Sequence, residues 1–93
     1  MMTVNRPVEM ISVCSREGTL QPARFRLEDE EGALCTVRIR HIQKTQELKY
    51  VGAEALRYIC TANWGGRERR FELRYALRTH RWVLHAFLDG EGP

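Results

Sequence analysis

The sequence has few cysteines, and their spacing is unsuited to the common cysteine-based scaffolds. The three cysteines, Cys14, Cys35 and Cys60, lie 21 and 25 residues apart, and no Cys-x-x-Cys pair occurs. An odd number at this spacing fits neither a zinc motif nor a disulfide framework. Each cysteine falls within an apolar alternation, so we expect three buried thiols that pack as small hydrophobic side chains.

Long hydrophobic runs are also lacking. No apolar segment approaches the roughly 18 residues that a membrane-spanning helix requires. Asn5, Arg6, Pro7 and Glu9 interrupt the N-terminus where a signal peptide needs an unbroken apolar core. These absences predict a cytoplasmic protein without a membrane span.

Motifs of catalysis and metal binding are lacking as well. No Gly-x-Ser-x-Gly motif occurs, and Gly65-Gly66 precedes a predicted strand instead of the helix that follows a phosphate loop. His41, His80 and His85 have no cysteine or carboxylate at the separations of zinc motifs. The acidic run 28–31 lacks calcium-loop spacing, so we interpret it as a solvated turn. The sequence therefore predicts no catalytic residue, metal, cofactor or small-molecule substrate, although an active site at an oligomer interface stays open.

Composition and charge are those of one small folded domain with a bias towards arginine. The 93 residues are 43% hydrophobic and 29% charged, with a formal net charge of +3. This length allows a single core, so we expect one domain over residues 1–93. Only Lys44 and Lys49 are lysines among the 15 basic residues. Arginine binds phosphate in a bidentate fork, but a GC-rich genome would enrich it equally well.

Six segments have the alternating pattern of β-strands. We predict strands over residues 8–14, 19–27, 33–42, 56–62, 67–76 and 81–88. Pro22 should mark an edge or a bulge, because proline cannot donate to the sheet. Residues 33–42 form a long strand that should bend or be shared between two halves of a barrel. We expect residues 43–54 to be a loop, or else a helical turn, and residues 1–7 and 89–93 to be loose termini.

Short strands joined by turns, without a helical apolar period, predict an antiparallel all-β fold with meander topology. A flat sheet of six strands would leave one face bare and both edges free. Curling it into a barrel buries both. We therefore predict a small, partly open barrel of about six strands, similar to the SH3-like or OB-like classes. An α+β sheet with a short helix in residues 43–54 is the alternative.

The hairpin over residues 63–88 is the candidate functional surface. Six arginines crowd it against only Glu68 and Glu72, which gives the segment 67–81 a charge of +4. Small barrels bind single-stranded nucleic acid through arginines on phosphates and aromatic side chains on bases. The candidate nucleic-acid-binding residues are Arg38, Arg40, Arg67, Arg69, Arg70, Arg74, Arg78, Arg81 and Trp64. A solvated charged face is the simpler interpretation of the same cluster.

A protein-interaction module or a homo-oligomer is the alternative function. Residues 82–88 are apolar on both alternating sides, so one side has no evident use in a monomer core. Such a side, or an exposed sheet edge, would suit a second protein molecule.

Several short motifs are similar to those of a group of short uncharacterised bacterial proteins. They are Pro22 with Phe25, Val37-x-Ile39, Tyr58-x-Cys60, Phe71-Glu72-Leu73-x-Tyr75 and Trp82-x-Leu84. The resemblance covers nearly the whole chain and involves core and hairpin residues. It implies a compact bacterial cytoplasmic domain and no activity.

Overall fold

The structure, a computed structural model, describes residues 1–90, and within these it contains seven antiparallel strands and no helix. The strands are β1 (Met2–Cys14), β2 (Leu20–Glu28), β3 (Leu34–Arg38), β4 (His41–Tyr50), β5 (Ala53–Trp64), β6 (Arg67–Ala76) and β7 (Arg81–Phe87). The predicted all-β class is confirmed. The number of strands is one higher than predicted.

The strands form one sheet in the order β3-β2-β1-β7-β6-β5-β4. Two meanders, β1 to β3 and β4 to β7, are therefore joined where β1 pairs with β7. The first half of β1 pairs with β7 from Met2↔Phe87 to Val8↔Trp82. Its second half pairs with β2 from Glu9↔Arg26 to Cys14↔Leu20. The topology is meander-like, with the first and last strands side by side in the centre of the sheet.

The sheet curls into a half-barrel because its two edge strands are consecutive in the chain. β3 ends at Arg38 and β4 begins at His41, so Ile39 and Arg40 must connect opposite edges of the sheet. The Ile39 N–H donates to the Ala23 carbonyl of β2 at 2.9 Å, and the Arg40 N–H donates to the Thr61 carbonyl of β5 at 2.8 Å. The chain thus changes partner between two successive residues. This closure confirms the prediction of a small, partly open barrel.

The concave side of the sheet holds one hydrophobic core. Its buried members are Phe25, Leu27, Val37, Tyr58, Cys60, Ala62, Phe71, Leu73, Trp82, Leu84 and Phe87. The Tyr58 hydroxyl donates to the Leu20 carbonyl of β2 at 2.5 Å and so links the two meanders across the core. Burial raises the pKa of Tyr58 to about 12, since the phenolate would be desolvated there.

Two predicted segments differ from the structure between residues 33 and 54. The single strand predicted over 33–42 is divided into β3 and the start of β4 by the change of partner at Ile39 and Arg40. The loop or helical turn predicted over 43–54 is wrong. Residues 43–50 belong to β4, which pairs with β5 from His41↔Thr61 to Tyr50↔Ala53. This segment lacks apolar alternation because its hairpin projects beyond the core.

The N-terminus and Pro22 also have defined places. Residues 2–7, predicted to be loose, form the first half of β1. The register between β1 and β2 shifts between Ile11↔Arg24 and Ser12↔Pro22, so the bulge predicted at the proline is present. β3 pairs with β2 only as far as Arg24, and Pro22 therefore needs no donor on that side. Of the predicted loose end at 89–93, residues 91–93 lie outside the described part.

A bulge at His85 determines which side of β7 is buried. The β6–β7 register shifts from Glu72↔Ala86 to Leu73↔Leu84, which leaves His85 as the extra residue. Phe87 consequently points into the same core as Trp82 and Leu84, although it has the opposite parity. The large apolar side chains of β7 therefore pack in the core of the single chain. Cys60 is fully buried and Cys35 half-buried, whereas Cys14 is exposed, so the buried thiol predicted at Cys14 is wrong.

Candidate nucleic-acid interface

The arginine-rich segment 63–88 contains the end of β5, β6 and β7, and it begins with the β5–β6 hairpin around Gly65 and Gly66. Both glycines have positive φ values, 64° and 84°, as a two-residue hairpin turn requires. Ten residue pairs follow in unbroken register from Trp64↔Arg67 to Ala55↔Ala76. This regular alternation divides the hairpin arginines between the two faces of the sheet. They do not form one surface.

Arg67 and Arg69 lie on the concave face, at the open end of the barrel. Arg69 is buried, binds both carboxylate oxygens of Asp89 at 2.5 and 3.0 Å, and stacks on Phe87 with its Cζ 4.2 Å from the ring centroid. Trp64 is half-buried, with ring centroids 5.0 to 5.8 Å from those of Phe25, Phe71 and Phe87. Trp64 is therefore part of the core, and Arg69 is held by a carboxylate of its own chain.

The open end of the barrel forms a cleft of about 460 Å³ with mixed charge. Leu27, Cys35 and Trp64 supply its apolar wall, and Arg6, Arg67 and Asp29 are also in its lining. The Arg6 guanidinium donates to the Glu28 carbonyl at 3.0 Å, and Arg6 also lies beside Glu30 and Glu31. The acidic turn predicted from the sequence is thus next to this cleft. It offsets the positive charge that a phosphate backbone would need.

Arg70 and Arg74 lie on the convex face with Glu72 between them, as the spacing of two residues predicts. The Glu72 carboxylate is 2% exposed and is bound by Arg57 Nε at 3.0 Å and by Arg74 Nε at 2.6 Å. Burial alone would raise the pKa of Glu72, but the hydrogen bonds and charges of Arg74 and Arg57 hold it below the usual value. Arg57 is directly opposite Arg74, so Glu72 neutralises a cross-strand pair of like charges.

Two glutamines of β4 extend this convex layer. Arg70 Nε donates to Gln43 Oε1 at 2.9 Å, and Arg57 Nη1 donates to Gln46 Oε1 at 3.0 Å. Thr61 is directly opposite Arg70 in the β5–β6 ladder. Its hydroxyl is buried and has no hydrogen-bond partner among the described residues. Most of the hairpin arginine groups on this face are therefore committed to partners in the same sheet.

His85 and Asn5 meet where the β1–β7 register shifts. Asn5 has a positive φ of 50°, and its amide oxygen is 2.7 Å from His85 Nδ1. An amide oxygen can only accept, so His85 donates from Nδ1. Burial, with Arg74 nearby, lowers the pKa of His85, which favours the neutral ring. The pair fixes two irregular strands to each other and is a structural feature.

The four remaining candidate arginines are exposed and lie in two places. Arg78 and Arg81 are at the β6–β7 turn, where Arg78 shares a shallow cleft with Gly52 and Glu54. Arg38 ends β3, and Arg40 follows in the connection to β4. Ile39 between them packs on the core, so Arg38 points to the convex face beside Arg24, and Arg40 is exposed at the corner where the chain passes to β4.

Arg24 is the residue that the sequence analysis missed. It is directly opposite Arg38 in the β2–β3 ladder and next to the exposed Ile11 of β1. Among residues 1–90, the guanidinium groups of Arg24, Arg38 and Arg40 form no hydrogen bond or ion pair with another side chain. We call these three residues the basic stripe. The sequence selects Arg38 and Arg40 but not Arg24, because the pairing of Arg24 with Arg38 depends on strand register.

The described residues contain no group of three or more histidine, cysteine or carboxylate side chains placed to hold a metal ion. No helix in residues 1–90 is long and apolar enough to cross a bilayer. Comparisons with family models, with curated proteins and with solved structures give no match to this chain. Fold and surface geometry therefore carry the functional argument alone.

Proposed function

We propose that this protein is a non-catalytic module that binds single-stranded nucleic acid through the basic stripe of Arg24, Arg38 and Arg40. The supporting observation is the direct opposition of Arg24 and Arg38 without a carboxylate between them. Like charges directly opposite destabilise a sheet, and a bound anion removes that repulsion. The convex face elsewhere balances its arginines with Glu72, Gln43 and Gln46. Among residues 1–90 the stripe has no such partner, since Glu9, the carboxylate that lines the cleft beside Arg24, is paired with Arg26.

The shape of the stripe suits a flexible strand. Arg38 and Arg40 are two residues apart at the corner between β3 and β4, and Arg24 is one strand away from Arg38, about 5 Å. Ile11, which is exposed beside Arg24, offers an apolar surface for a base. All three stripe residues are arginines, so phosphate contacts dominate the proposed binding. Such binding is weakly dependent on base sequence and strongly dependent on salt.

Fluorescence anisotropy with labelled single-stranded DNA and RNA at several salt concentrations tests the proposal. Each phosphate contact on a single strand contributes about −0.7 to the slope of log K against log salt. Replacing Arg24, Arg38 and Arg40 by serine should therefore weaken binding at low salt and make the slope shallower by about 2.

The matched control removes the same charge elsewhere, with the substitutions Arg16→Ser, Arg78→Ser and Arg81→Ser. These exposed residues lie in the β1–β2 turn and at the β6–β7 turn. The control should keep the wild-type salt slope. An equal loss of affinity in both triple variants would mean that only net charge matters. Absence of binding by the wild-type chain at low salt would contradict the proposal outright.

A further inference from the structure

The strand β4 has one unpaired edge. Within the described residues it pairs with β5 and with no other strand, and it is the last strand of the sheet on that side. The preceding strand in the chain, β3, pairs with β2 and not with β4. The outer N–H and C=O groups of β4 are therefore available to another extended segment.

The β4–β5 hairpin also extends beyond the core. Every residue from 43 to 54 except Leu48 is exposed, and Tyr50 keeps 60% of its surface accessible. Two-stranded hairpins are marginally stable alone, yet this one maintains register to Tyr50↔Ala53 at its tip. An added strand would cover Tyr50 and complete the hydrogen bonding of the β4 edge.

The pleat limits how β4 can pair with a second copy of itself. Gln46, Leu48 and Tyr50 point to one face of the sheet, and Thr45, Glu47 and Lys49 point to the other. Directly opposed residues of antiparallel strands lie on the same face. A symmetric pair must therefore have its twofold axis at one residue, with that residue opposite its own copy.

Charge selects among these registers. An axis at Glu47 or at Lys49 would place like charges directly opposite each other, which destabilises a sheet. Axes at Thr45 or Gln46 bring no opposite charges together. An axis at Leu48 creates two opposite-charge pairs, because Glu47 of each copy then lies opposite Lys49 of the other. In the single chain these two side chains are exposed, and Lys49 Nζ is 3.6 Å from Glu47 Oε2.

We propose that two copies of this chain associate through antiparallel pairing of β4 with β4, with Leu48 opposite Leu48 of the second copy. Five residues of each strand, 46 to 50, pair directly, and Tyr50 of each copy lies opposite Gln46 of the other. On the same face, the two Leu48 side chains and the two Tyr50 rings form a small apolar strip. The contact is shorter than a standard interface, so the dimer is weak and forms at high protein concentration.

Sedimentation equilibrium over a concentration series reaching about 1 mM tests the dimer. The wild-type chain should show a monomer–dimer equilibrium. Lys49→Glu places Glu47 opposite a glutamate at both ends of the pair, and we expect it to weaken association about tenfold or more. Adding Glu47→Lys to Lys49→Glu restores both opposite-charge pairs, and the double variant should regain wild-type association.

The matched control is Lys44→Glu, which makes the same charge change in the same strand outside the five paired residues. It should associate as the wild type does. A wild-type chain that is monomeric throughout the series overturns the dimer. A dimer that survives Lys49→Glu, or a double variant that stays dissociated, overturns this register. Far-ultraviolet circular dichroism of each variant checks that the exposed substitutions leave the fold intact.

Discussion

Replacing Glu72 by glutamine removes the charge that holds two opposed arginines together on the convex face. Glutamine keeps the shape of the side chain, so the loss measures charge and not packing. Removing one partner of a buried ion pair costs about 3 to 5 kcal/mol. Arg57 and Arg74 are 26% and 33% exposed and can recover some hydration. We therefore expect a loss of about 2 to 3 kcal/mol in the free energy of unfolding near pH 7.

The loss of stability in Glu72→Gln should depend on pH. The pKa of Glu72 is lower in the folded chain than in the unfolded chain, where it is about 4.3. Its ionised form thus stabilises the fold fully above that value. This stabilisation is lost as the pH falls through the folded-state pKa. The difference between wild type and Glu72→Gln should therefore be constant above about pH 5 and shrink in acid below about pH 4.

Urea unfolding monitored by tryptophan fluorescence at a series of pH values measures this difference. The matched control is Glu9→Gln, which breaks an exposed pair whose Arg26 and Glu9 side chains are 46% and 71% accessible. The control should lose less than about 1 kcal/mol. Equal losses for the two variants, or a Glu72→Gln loss that does not shrink in acid, would refute the reasoning.

Two further substitutions test buried hydroxyl groups by the same unfolding measurement. Tyr58→Phe removes the bond to the Leu20 carbonyl and should cost about 1 kcal/mol, whereas no loss would mean that the link between the meanders is energetically unimportant. Thr61→Val replaces a buried hydroxyl that has no partner among the described residues and should stabilise the fold by about 1 kcal/mol. A destabilised Thr61→Val variant would indicate that the hydroxyl has a partner such as bound water.

The sequence predicts the all-β class and the central hairpin because their signals are local. Gly65-Gly66 requires positive φ, and the alternation from Phe71 to Tyr75 fixes which side chains of β6 point inward. The predicted bounds of this strand, 67–76, are those of β6. A turn and a period of two are sufficient here, since each residue's environment is determined by its immediate neighbours.

The strand boundary at residues 39 and 40 could not be predicted in the same way. Alternation continues from Val37 through Ile39, both of which face the core, while the chain changes its partner from β2 to β5. An apolar period of two residues shows which face of a strand is buried. It contains no information about which other strand pairs with it. The β4 hairpin was missed for a related reason, because residues exposed on both faces carry no apolar period.

The candidate interface was only partly accessible to sequence reasoning. The clustering of arginines along the chain pointed to the segment 63–88. The structure places these arginines on opposite faces of the sheet and pairs Arg69 and Arg74 with carboxylates. The basic stripe combines residues from β2 and from the β3–β4 corner, which are 14 to 16 positions apart in the sequence. Register creates that proximity, and register depends on tertiary packing and turn geometry.

The position of β1 beside β7 has a consequence for how the chain folds. Met2 pairs with Phe87, so the central seam of the sheet joins residues 85 positions apart, whereas the other ladders join neighbouring strands. Loop-closure entropy disfavours such distant pairing relative to the local ladders, so the two meanders can form before it. During synthesis, β1 to β3 leave the ribosome with the future central strand still an open edge. The seam can close only after β7 has emerged, and until then β1 presents an unpaired edge to which another strand could pair.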